Sequence, residues 1–62
     1  MDRLWKTTAH WPDGMESTDD HPTESAAVAV ARTLLREGNS LGKPLSVDVE
    51  FTPDPDSKKT YK

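Results

Sequence analysis

Six residues able to bind a metal or move a proton fall within one short stretch: His10, Asp13, Glu16, Asp19, Asp20 and His21. Imidazole nitrogens together with carboxylate oxygens form a donor set for zinc or another divalent ion. On that reading His10, Asp19, Asp20 and His21 are the candidate ligands. Their spacing matches no established ligand pattern, and convergence depends on how the intervening chain turns. His21 beside Asp19 or Asp20 could also serve acid–base chemistry, because imidazole titrates near neutral pH. Turn and cap chemistry accounts for the same residues without any ligand: Asp13 in a turn, and Asp19 or Asp20 ahead of a helix.

A second group is cationic. Arg32 and Arg36 stand four residues apart on a helical pattern, where like charges mildly repel. With Ser25 and Ala29 they form a flat strip that could meet an acidic partner or phosphate groups; a solvated helix face is the plainer reading. Lys58 and Lys59, with Tyr61, could add a basic surface near the C-terminal end. Trp5 and Trp11 read first as core residues, and with inverted register as interface anchors of the hot-spot kind. Gly38 and Gly42 follow a helix, whereas phosphate-cradling glycines precede one. No nucleophile–base motif is present, and so short a chain offers little concave volume for a substrate. The expectation is therefore a protein that is not an enzyme, with no cofactor.

These residues need elements to position them, and the best-signalled element is a helix over residues 23–38. Thr23 is its N-cap, with Asp20 as a competing cap, and Pro22 does not extend a helix backwards. Glu24 and Arg36 suit the positive and negative ends of the helix dipole, and Gly38 suits the terminus. At about 100° per residue, Ala27, Val28, Val30, Ala31, Leu34 and Leu35 gather on one side. Residues 1–11 read as a strand with Trp5, Thr7, Ala9 and Trp11 facing inward. Pro12-Asp13-Gly14 reads as a hairpin turn into a short edge strand at 15–18, with 19–22 as the loop to the helix. Residues 45–52 alternate cleanly, with Leu45, Val47, Val49 and Phe51 toward the core. Pro53 and Pro55 argue against a continued ladder, which leaves 54–62 as a flexible tail after a single domain of residues 1–53. The fold class is α+β: β-β-α-β, a three-stranded antiparallel sheet in the order 2-1-3, with one helix on one face. On the other face, Lys6, Thr8 and His10 stand opposite Ser46, Asp48, Glu50 and Thr52, and cross-strand charge pairs explain them.

The chain has 62 residues, no cysteine, and a net charge of −3. Disulfide staples and thiolate zinc sites are thereby excluded, and the absence of cysteine suits a reducing cytoplasm. No apolar run is long enough for a membrane span. The acidic balance speaks against a nucleic-acid binder, which normally carries a basic field. A domain this small buries only about 60% of its unfolded surface. A second copy pairing along an open sheet edge is an attractive source of further burial, so a homodimer is expected.

The Trp-rich strand, the WPDG turn, the DDHPTE helix entry, the Ala-rich helix ending in EG and the final alternating strand together resemble short proteins of bacteriophages and prophages. The resemblance covers Trp5 to Thr52. It carries no catalytic residues with it and implies a small accessory protein or inhibitor that binds a host macromolecule in a bacterial cytoplasm. The leading expectation is a non-enzymatic protein-interaction module using Ser25, Arg32, Arg36, Trp5 or Trp11. The alternatives are a metal- or ligand-binding domain built on the His10–His21 region, and a nucleic-acid accessory protein using Arg32, Arg36 and the lysine tail.

Overall fold

A computed structural model describes residues 2–62. The first hairpin forms as its turn residues dictate. β1 (Trp5–His10) passes through Pro12-Asp13-Gly14 and returns as β2 (Glu16–His21). The Trp11 N–H donates to the Met15 carbonyl at 2.9 Å, and the Trp11 carbonyl accepts from the Gly14 N–H at 3.1 Å. The Asp13 carboxylate accepts from the Met15 N–H at 3.0 Å. Gly14 takes φ +89°, the positive value that a three-residue hairpin loop needs in its last position. β2 is longer than expected: Asp19, Asp20 and His21 are paired to Thr7, Lys6 and Trp5 and do not form a loop. β1 offers ladder partners as far as Trp5, and charged side chains are well tolerated on an edge strand that faces water.

α1 (Glu24–Glu37) is capped at both ends by the residues anticipated. The Thr23 hydroxyl accepts from the Ala26 N–H at 3.2 Å, and the Gly38 N–H donates to the Leu34 carbonyl at 2.8 Å. Ala27 and Ala31 are fully buried, while Val28, Leu34 and Leu35 pack against the core from its margins. Alanines at the points of closest approach let the helix lie near the sheet. The space between is filled by Trp11, Val47, Val49 and Ala9, with Thr7 buried among them.

β3 (Ser46–Phe51) and β4 (Asp54–Tyr61) complete a four-stranded antiparallel sheet in the order β2-β1-β3-β4. The first three strands have the expected order, with β1 beside both β2 and β3. The fourth corrects both the three-stranded reading and the flexible tail. Two local devices overcome the prolines. Thr52-Pro53 forms the turn, with Phe51 paired to Asp54. The ladder is then irregular between Val49 and Phe51, and Pro55 falls inside that irregularity, where an edge strand tolerates a missing N–H. There the Ser57 hydroxyl accepts from the Phe51 N–H at 2.8 Å and donates to the Asp54 carbonyl at 2.6 Å, taking the place of ladder bonds. Regular pairing resumes at Lys59. β3 is consequently an interior strand, and the open edge it would have offered a second copy is occupied by the chain's own C-terminal residues.

Leu45 also departs from expectation. It is 62% exposed, because β3 begins one residue later and the Leu45 N–H already bonds the His10 carbonyl at the sheet's end.

Candidate binding surfaces

The ladder decides the fate of the candidate metal ligands. Asp19 stands opposite Thr7 and His21 opposite Trp5, on the face that α1 covers. Asp20 stands opposite Lys6 and Glu16 opposite His10, on the uncovered face. His10 and His21 thus lie on opposite faces and at opposite ends of the hairpin. His21 Nε2 is 3.0 Å from the Thr7 hydroxyl, which gives that buried oxygen its partner. The structure does not bring His10, Asp19, Asp20 and His21 together. Among the described residues, no group of three or more His, Cys, Asp or Glu side chains is placed to hold a metal.

What the uncovered face does assemble is a polar cluster around Asp48. His10 Nε2 lies 3.0 Å from Asp48 Oδ2, and His10 Nδ1 lies 3.6 Å from Glu16 Oε2. The Thr60 hydroxyl donates to Asp48 Oδ1 at 2.6 Å, and Lys58 Nζ is 3.9 Å from Asp48 Oδ2. Partial burial alone would push the Asp48 carboxyl up. The bonds from Thr60 and His10, with the positive charge of Lys58, outweigh it and hold the group below its ordinary value. Beside the cluster, Lys6 Nζ pairs with Glu50 Oε1 at 3.5 Å. The cluster ties all four strands together. The Thr60 hydroxyl is committed to Asp48. Residues 58 and 60 were missed as members because a segment read as tail has no register. Once its pairing to β3 is known, the period-two alternation places them.

The outer face of α1 carries the other candidate residues. Ser25, Ala29, Arg32, Thr33 and Arg36 are exposed there. With Val28 and Glu24 they line a wide, shallow depression of about 480 Å³. Arg36 contacts its neighbour Glu37 at 3.1 Å, an exposed pair of the kind that adds little stability. Trp11 is not on any surface: it is 4% exposed, and its indole Nε1–H donates to the Gly42 carbonyl at 3.0 Å. Trp5 is half-buried, its ring centroid 5.0 Å from that of Phe51. Both rings therefore serve the fold, with Trp11 unavailable as an anchor. The lysines do not extend the arginine strip either. Lys58 turns to the uncovered face beside Asp48, and Lys59 lies in the edge strand opposite Val49.

No helix among the described residues is long and apolar enough to cross a membrane. No family model matches the chain, and no curated protein or solved structure matches it.

Proposed function

We propose that the protein is a non-enzymatic protein-binding module, an accessory protein that docks an acidic segment of a partner along the outer face of α1. The observation that carries this reading is the depression on the outer face of α1, lined by Val28 and Ala29 together with Arg32 and Arg36. It offers apolar surface from Val28 and Ala29 and two guanidinium groups for carboxylates, Arg36 exchanging its exposed contact with Glu37 for the partner's acid. The helix is anchored from its other side by Ala27 and Ala31, so the strip is presented on a rigid support. A bacterial cytoplasm is the proposed setting, as the phage-like pattern of the chain implies.

The test is retention of lysate proteins on the immobilised wild type, on R32E/R36E, and on a K59E/K62E control whose changes lie away from the helix. The reading predicts proteins held by the wild type and the control but lost from R32E/R36E. A retained set indifferent to Arg32 and Arg36, or no retained protein at all, contradicts it.

A further inference from the structure

β2 and the C-terminal half of β4, on the two free edges of the sheet, carry opposite charge in matching rows, while the N-terminal half of β4 carries Asp54 and Asp56. β2 (Glu16–His21) bears Glu16, Asp19 and Asp20, with no lysine or arginine. The C-terminal half of β4 and the residue after it bear Lys58, Lys59 and Lys62. The ladder aligns them across the sheet. Asp19 pairs with Thr7, Thr7 with Val49, and Val49 with Lys59. Along the next row Asp20, Lys6 and Glu50 stand together, beside Lys58, whose ammonium group lies on that same uncovered face near Asp48. At the other end Glu16, His10 and Ser46 form a row, and the Val47–Tyr61 pair puts Lys62 next to it.

We propose that the protein associates with copies of itself head to tail, the β4 edge of one copy pairing with the β2 edge of the next, so that the sheet continues from copy to copy. Strand direction already fits: each neighbouring pair in the sheet is antiparallel, so β2 and β4 run in opposite directions and the new ladder is antiparallel as well. Without any stagger, Lys59 meets Asp19 and Lys62 meets Glu16, each pair on one face. The alternatives are weaker. Two β2 edges would set acids against acids, and two β4 edges would meet at Pro55 and the irregular ladder. Charged edges ordinarily keep a sheet from pairing; here β2 and the C-terminal half of β4 are of opposite sign and in register. A heterologous contact of this kind leaves one free edge at each end, so association extends beyond a dimer unless the twist of about 20–25° per strand closes it. The surface is distinct from the helix strip, and the two proposals stand or fall separately.

Sedimentation velocity over a concentration series tests it, on the wild type and on the charge-reversed edges D19K/D20K and K59E/K62E. The expected result is a wild-type mass that rises with concentration and falls back toward the monomer in 1 M salt (a Debye length of about 3 Å). Each variant alone stays monomeric, and an equimolar mixture of the two regains association, because each now supplies the edge the other lacks. A wild type that is monomeric throughout, association insensitive to salt, variants that associate like the wild type, or a mixture that stays monomeric each overturns the proposal. The wild-type salt series decides the matter even where a variant fails to fold.

Discussion

His10 Nε2 lies 3.0 Å from Asp48 Oδ2, although their direct ladder partners are Ser46 and Thr8. The contact runs along a diagonal of the β1–β3 pair, within reach of side chains on one sheet face. Asp48 also accepts from Thr60 on β4, and His10 stands beside Glu16 on β2. One carboxylate and one imidazole therefore connect the outermost strands through the sheet's centre.

Acid sensitivity follows from Asp48. Its carboxyl is held below the ordinary 3.8. The stability it contributes is present above that unfolded-state value and is lost as pH falls through the lower folded-state value. Asp48→Ala should cost about 1–3 kcal/mol at neutral pH, and its melting temperature should fall less steeply in acid than that of the wild type. Parallel melting curves from pH 7 to pH 2 check both points.

The C-terminal residues should behave as structure. Deleting residues 54–62 bares one edge of β3 and removes the β4 partners of Val47, Asp48 and Phe51. The shortened chain should lose its cooperative melt or aggregate through the bared strand. Circular dichroism and light scattering of the truncated chain measure this; an unchanged melt would return the segment to the status of a tail.

The same segment marks where the sequence was hard to read. The helix and the first hairpin were legible because their signals are local: Thr23 and Gly38 cap within their own turns, and Asp13 with Gly14 shapes a loop of three residues. β4 has no such signal. Its prolines and lysines disfavour a strand, and what stabilises it lies outside its own sequence: the Ser57 hydroxyl bonding Phe51, the Thr60 hydroxyl bonding Asp48, and the Lys58 charge beside Asp48. The inward tryptophan face was legible from alternation, as was the expectation of cross-strand charge pairs on the other face, of which Lys6–Glu50 is one. The separation of His10 from His21 was not, because it depends on β2 running to residue 21, which the ladder with β1 determines.

The two tryptophans should separate on truncation. Trp11→Ala removes a buried ring and the bond that ties the loop at Gly42 to the sheet, a loss of about 3–5 kcal/mol. Trp5→Ala, at a half-buried site, should cost distinctly less. Urea titrations of the two variants compare them directly, and equal losses would contradict the assignment of Trp11 to the core.

Glycine substitution should discriminate in the same way. Gly38 takes φ +75° and ψ −165°, a region held almost only by glycine. A Cβ there would come within 2.7 Å of the Gly42 carbonyl oxygen. Gly14 has φ +89° but open space around it. Gly14→Ala should cost about 1–3 kcal/mol of backbone strain, and Gly38→Ala should cost more, because strain and a backbone collision act together. Denaturation midpoints of the two variants settle the order.

The most direct test of the account is a concentration series of amide spectra on the isotopically labelled wild type. The opposed edges predict that the resonances of β2 and those of Lys58 to Tyr61 shift together as concentration rises, while amides along the outer face of α1 hold still. Shifts confined to one edge, or centred on the Arg32–Arg36 strip, would contradict it.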